Sequence, residues 1–409
     1  MTVIPLVYFS FMTIYFFHRY RSWNLVSALF SILIVFSFFS LLVDVNNLYG
    51  EWGNNENYLS FFGVILYCFL WTVVILPFMK FCGKDFVITI NKPQLFNYLC
   101  YFLLFCSFVY AVFSFDINSI ITNLMSDGAD MYQENSEAAH SNYRAKGKMQ
   151  ILLWIPLVIN KGWPLLLLLF FINLLYSNKT LASLFLILSL LNVIVALSGG
   201  GRAMVIYWIF FFYVYFSFFY NMLSLKLKKQ IIVFVSFFIV IIVSLFLSIT
   251  LSRFDNGNSF DSIIGYAGQT LNNFCAFIYN SDLVNTNIQR IFPFYSLLLG
   301  KGSFSHVHYY DFLNQRYSIE VNNFSTLFGE IALDLGCFGL MVWLIGYLLT
   351  FRLIKINGSS IDVSSLFLFV VLLMVPILGF FAYPYVFHFT TAFLLFSFLC
   401  YFMFRFNFR

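Results

Sequence analysis

The stretch LSGGGRAM, Leu197 to Met204, sets three glycines and Arg202 between two long apolar runs. Bare backbone amides followed by a guanidinium at the start of a helix can cradle a phosphate, and the helix's positive N-terminal end adds to the attraction. No Gly-Lys-Ser/Thr follows, so the nucleotide-binding Walker pattern is absent. Two further arginines edge a later polar segment: Arg253 opens it, and Arg290 sits in QRIFPFYSLLLGKG. A planar guanidinium binds phosphate oxygens two at a time, and several can share one pyrophosphate. Arg202, Arg253 and Arg290 are therefore candidate pyrophosphate ligands. The competing reading is a headgroup anchor for Arg202 and ordinary salt bridges, to Asp255 or Asp282, for the others.

Groups able to move a proton lie in the same part of the chain. SHVHYYD places His306 and His308 two residues apart with Asp311 nearby. On a strand the two histidines share a face, and on a helix they diverge. Imidazole suits acid-base work at neutral pH, and no third ligand has a metal-binding spacing, so no metal is expected. FGEIALDLGCFG puts Glu330 and Asp334 one helical turn apart on one face. Carboxylates inside a membrane are costly and point to function. Against that, acids early in a helix are favoured by its dipole, and Gly336 and Gly339 read as close helix packing. The candidate catalytic groups are thus His306, His308, Glu330 and Asp334.

What must position these residues is a membrane. Hydrophobic residues make up 61% of the 409, charged residues only 10%, and Phe alone occurs 58 times. A soluble domain has about a quarter charged residues, and apolar runs of about 20 residues are the length that spans a bilayer. Eleven such runs fall near residues 2–17, 24–43, 58–79, 95–114, 153–176, 180–198, 203–222, 231–251, 327–350, 364–383 and 386–404. Pro156, Lys161 and Pro164 interrupt the fifth, which is expected either to kink or to follow a short re-entrant piece. Met1 to Phe17 lacks a basic start and a cleavage pattern and reads as the first span. Basic residues occur in short clusters between apolar runs, with no aromatic-basic face for nucleic acid, and the seven cysteines form no disulfide or zinc pattern.

Charge sorts the connections. One side holds thirteen of the chain's 22 Lys and Arg but only Asp85 and Asp362 among its 17 Asp and Glu, leaving nine basic against fifteen acidic residues for the other side. Basic residues collect in the cytoplasm, so the C-terminus is expected there and, with an odd number of spans, the N-terminus outside. Two outer connections, 115–152 and 252–326, far exceed the length of a turn, which favours function. In the second, Ile263, Ile264, Ala267, Leu271, Phe274, Cys275 and Ile278 recur at helical spacing, with Asn272, Asn273 and Asp282 off that face. This reads as an amphipathic helix lying on the membrane or against the bundle.

Many spans with one dominant outer loop, SGGGRA before a span, the segment from Arg290 to Gly302, and NNFSTLFGEIALDLGCFGL leading into a span together resemble the O-antigen polymerases of the Wzy type, and more distantly the O-antigen ligases. Family members often carry SGSRG or SGGRG where this chain has SGGGRA. Some show an Arg, ten residues and then a Gly; after Arg290 that place is Lys301, with Gly300 and Gly302 on either side. The resemblance implies an all-α polytopic membrane protein of the bacterial inner membrane, one integral domain over 1–409 with about eleven transmembrane helices and two long periplasmic loops. It implies a glycosyltransferase without cofactor, moving a growing glycan from undecaprenyl pyrophosphate to a new lipid-linked repeat unit. Membrane lipids and a chain-length regulator of the same pathway are the implied partners. A ligase shares the layout. A flippase or transporter would bury charge at mid-membrane and often show paired halves, whereas here charge crowds the outer mouth.

The charge asymmetry makes a direct test. In a background without native cysteines, Ser259→Cys and Asn314→Cys are expected to label from outside and Ser224→Cys to stay protected. External labelling of Ser224→Cys alone reverses the orientation.

Overall fold

A computed structural model describes residues 1–48, 58–83, 86–114, 149–198, 203–253, 259–281, 291–292, 326–385 and 388–406. The chain is overwhelmingly helical, as an apolar sequence in lipid must be, because a helix satisfies its own backbone. Helices α1 (Val3–Tyr20), α2 (Leu25–Val45), α3 (Phe61–Ile75), α4 (Pro93–Ser114), α5 (Met149–Lys161), α6 (Trp163–Leu175), α7 (Lys179–Ser198), α8 (Ala203–Phe219) and α9 (Leu225–Arg253) are followed by α10 (Ser259–Tyr279), α11 (Thr326–Leu353), α12 (Val363–Leu378) and α13 (His388–Arg405). A 3₁₀ turn, Leu76–Phe81, extends α3.

By length and composition, five described segments can cross a membrane: Leu25–Val45, Phe61–Phe81, Pro93–Phe113, Ala203–Met222 and Thr326–Leu353. A sixth arises if Trp154–Lys161 and Trp163–Leu175, bent by 68°, count as one. That bend is the interruption expected of the fifth apolar run, as a kinked span or a re-entrant piece. It falls at Gly162, with Pro164 in the first turn of α6, where a missing N–H costs nothing. Phe11, Phe62, Phe105, Phe237 and Phe338 turn exposed rings outward, which suits a lipid solvent and not water.

The chain forms two compact bodies. The first comprises Met1–Lys84, Phe260–Lys355 and Ser365–Tyr401. Here α1 packs along α2. Asn24 caps α2 by accepting from the Ser27 N–H (3.0 Å) and donates to the Phe16 carbonyl (3.1 Å), closing the turn. A connected set of rings fills the interior: Trp71 lies 4.8 Å from Phe328 and 5.3 Å from Phe380, and Phe36 stacks 3.9 Å from Phe380. One end carries the basic residues: Lys80 Nζ donates to the Phe351 carbonyl (2.6 Å) and Cys82 lies against Asn24. At the far end of α2, the Thr2 hydroxyl donates to Asp44 (2.5 Å).

Helix α10 lies against the bundle, one of the two placements its pattern allows, and its polar side is covered along with its apolar one. Apart from its ends it is covered on nearly every side, and Gln269, Thr270, Asn272 and Asn273 are buried together with Leu271 and Phe274. The reason is a close crossing with α2. Ser40 Oγ donates to the Gly268 carbonyl (2.8 Å), and a Cβ built on Gly268 would lie 2.6 Å from the Phe39 carbonyl oxygen. Phe274 meets Tyr67 of α3 at 5.3 Å. Once the backbones approach this closely, amide side chains beside the crossing leave lipid and water alike, and they bond internally: Asn273 Nδ2 donates to Gln269 Oε1 (3.3 Å).

The second body comprises Asp85–Ser259, Ile356–Ser364 and Phe402–Arg409. Trp208 of α8 donates to the Ser189 hydroxyl of α7 (3.2 Å), and Phe171 of α6 stacks on Phe219 at 5.0 Å. A small sheet joins distant parts of the chain: β1 (Val87–Thr89) pairs in parallel with β3 (Ser360–Asp362), Ile88 opposite Ile361, and β3 pairs antiparallel with β2 (Ile356–Asn357). Tyr176 Oη donates to the Ile88 carbonyl (2.7 Å), and Lys92 Nζ donates to the carbonyls of Met403 (2.7 Å) and Phe406 (2.6 Å).

Gly268→Ala is expected to push α10 from α2 and to destabilise the folded protein by about 1–3 kcal/mol, the usual range for overpacking. Ser40→Ala, which only removes a hydrogen bond, is expected to cost about 1 kcal/mol. Thermal unfolding in detergent checks the order: a Gly268→Ala protein as stable as the parent would refute the tight crossing.

Candidate functional site

Glu330 and Asp334 are the sequence-derived site residues whose side chains lie among the described residues. Arg202, Arg290, His306 and His308 lie outside them, and Arg253 closes α9 with its side chain outside them.

Helix α11 begins abruptly. Thr326 has a φ of 70°, its hydroxyl accepts from the Gly329 N–H (3.4 Å), and the Leu327 N–H donates to the Gly379 carbonyl (2.7 Å). The start of α11 is thereby fixed to the chain that leaves α12. Gly336 then breaks the helix with φ 70° and ψ 175°, a conformation open to glycine alone among common residues. Between these two points stand Glu330 and Asp334, 4% and 1% exposed.

The two carboxylates share a face and each reaches a different connection. Glu330 Oε2 accepts the backbone N–H of Tyr383 (2.7 Å), in the link between α12 and α13. Asp334 Oδ2 accepts the backbone N–H of Ile291 (3.0 Å), in the segment between α10 and α11. Beyond the break, the exposed Cys337 places its Sγ 3.3 Å from Ser281 Oγ, at the end of α10. Both acids therefore act as acceptors for main-chain donors that have no helical partner. A charged acceptor is stronger than a neutral one, and burial strengthens it further.

Residues 379–385 add two tyrosines, Tyr383 at the last position of the expected span 364–383 and Tyr385 just beyond it. Tyr383 is buried, its ring 6.4 Å from Trp343 and 5.8 Å from Tyr385. Burial pushes its hydroxyl up to about 12, with the charges of Glu330 and Asp334 adding to the rise and a Trp343 hydrogen bond opposing it. Tyr383 stays a protonated donor across the physiological range. Tyr385 Oη donates to the Val371 carbonyl (2.6 Å), and burial raises it too. The signal that could have found them is FAYPYVF, in which a proline between two tyrosines marks a turn and not a helix end.

The chemistry available is that of two desolvated carboxylates beside a neutral phenol: proton acceptance, hydrogen bonding to hydroxyls, and repulsion of anions. Among the described residues no group of three His, Cys, Asp or Glu is placed to hold a metal. The class defined by fold and site is a helical membrane protein with a buried acidic pair at one end of its first body. Comparison with known protein families, with characterised proteins and with solved structures finds no match.

Glu330→Gln keeps a carbonyl oxygen for the Tyr383 N–H and is expected to fold and insert normally. Glu330→Ala strands that buried N–H and is expected to cost about 1–3 kcal/mol, read as a lower unfolding temperature. Equal stability of the two variants would remove the acceptor role.

Proposed function

We propose that this chain is a surface-polysaccharide polymerase of the O-antigen type, crossing the bacterial inner membrane eleven times with its two long loops in the periplasm. The observation that carries the reading is the buried pair Glu330 and Asp334, set away from the basic end of the first body, with Asp334 bonded to Ile291, the residue that follows Arg290 in sequence. An acid that accepts a proton and a loop that carries arginines belong to one reaction.

In that reaction an acceptor hydroxyl on a new repeat unit attacks the anomeric carbon of the glycan held on undecaprenyl pyrophosphate. A carbon–oxygen bond to the acceptor forms, the bond from the anomeric carbon to the pyrophosphate oxygen breaks, and the lipid pyrophosphate leaves with the electron pair. The hydroxyl proton passes to a carboxylate of the pair or to one of His306 and His308. Arg202, Arg253 and Arg290 hold the charge that develops on the pyrophosphate, so neither metal nor sugar nucleotide enters. Tyr383, beside the acidic pair, adds a neutral phenol of the kind that hydrogen-bonds sugar hydroxyls.

Deleting the gene from its host tests this in one gel. Without a polymerase, single units are still flipped and attached, so lipopolysaccharide is expected to show the core plus one unit and to lose its ladder. The intact gene restores the ladder. Arg202→Ala does not, and Arg202→Lys restores it poorly, since one ammonium cannot replace a two-pronged donor. A bare core band would favour a ligase or a flippase instead.

A further inference from the structure

In the second body, α6, α7 and α9 line an open cavity of about 600 Å³. Its wall is apolar, with Phe170, Leu174, Leu186, Ile231 and Phe234 prominent, and Lys229 stands among the lining residues. The cavity opens sideways: Ser183, Val233 and Phe234 line it and are exposed. Its lining begins at the helix ends, at Leu174 and Leu227, and runs inward as far as Val235.

Lysines crowd that rim against the local field. Lys226, Lys228 and Lys229 all fall in the first five residues of α9, where the helix dipole is positive, and no acid occupies that turn. Lys179 opens α7 under the same conditions and shares a stripe with Ser183 and Leu186. Cations at a helix N-terminus are disfavoured unless an anion joins them. Lys228 already lies over the Tyr220 ring, 3.9 Å from its centroid. Lys226 stands one turn before Lys229 and Gln230, both at the cavity, and side chains on a helix lean toward its N-terminus. Lys229 lines the apolar slot, and exposed Lys179 and Lys226 stand one helical turn from the lining residues Ser183 and Gln230.

We propose that this slot binds one anionic phospholipid of the leaflet at the basic end, its acyl chain in the cavity and its phosphate among Lys179, Lys226 and Lys229. A phospholipid matches both halves of the site, whereas free phosphate leaves the apolar slot empty and an apolar partner helix leaves the lysines uncompensated. The site is separate from the polymerase chemistry proposed above and stands on the membrane setting alone.

Native mass spectrometry of the purified full-length protein, offered equimolar phosphatidylglycerol and phosphatidylcholine of identical chains, tests the site. The parent protein is expected to retain one phosphatidylglycerol in preference to phosphatidylcholine. Replacing Lys179, Lys226 and Lys229 with Gln should weaken retention roughly fivefold per lysine, while Lys228→Gln retains it. Ser183→Trp, at an exposed position, should block retention by filling the mouth, and Ser183→Leu serves where the larger ring disturbs folding as judged by circular dichroism. No headgroup preference in the parent would overturn the proposal. So would loss with the lysine variants alone and not with either Ser183 variant, which would mean surface attraction without a slot, or a dimer in which a second copy displaces the lipid.

Discussion

In hydrocarbon no water stands ready to bond a main-chain N–H or carbonyl, so every place where a helix starts, ends or breaks must find a partner inside the protein. Much of the described structure answers that constraint, and it answers with charge of opposite sign at the two ends of the first body. Where α11 breaks and the chain leaves α12, the donors left over are N–H groups, and Glu330 and Asp334 accept them at Tyr383 and Ile291. At the other end the groups left over are carbonyls of helix C-termini. Lys80 donates to Phe351 there, Tyr401 donates to Leu353, and in the second body Lys92 donates to Met403 and Phe406. At Glu330, Asp334, Lys80 and Lys92, charge thus also completes backbone bonding that lipid cannot supply.

The elements legible in the sequence are those whose signal is local. Apolar length marked the helices, and Pro156, Lys161 and Pro164 marked the bend now seen at Gly162. Glu330 and Asp334 were visible because acids are rare in apolar runs. What escaped depends on partners far away in the chain. The polar residues of α10 look like a wet face until Gly268 is seen against Phe39, more than 200 residues earlier. Strands of two and three residues, β1 pairing with β3 across some 270 positions, leave no periodicity to read. Tyr383 and Tyr385 were lost among 26 tyrosines, where composition alone makes another aromatic residue unremarkable.

The acceptor role of the acidic pair bears on its proposed chemistry. A carboxylate that holds a buried N–H is oriented and cannot drift, which suits a group that must meet one hydroxyl in one geometry. A neutral acid is the weaker acceptor, so protonating Glu330 would loosen its hold on the Tyr383 N–H just as protonating Asp334 would loosen its hold on that of Ile291. Proton transfer at this site therefore carries a mechanical consequence: the link between α12 and α13, or the segment that follows Arg290, is held more firmly before the proton arrives than after. In the proposed polymerase, which would release one lipid and admit another at each cycle, the acid that takes the proton would also set how tightly the neighbouring connection is held while the products depart.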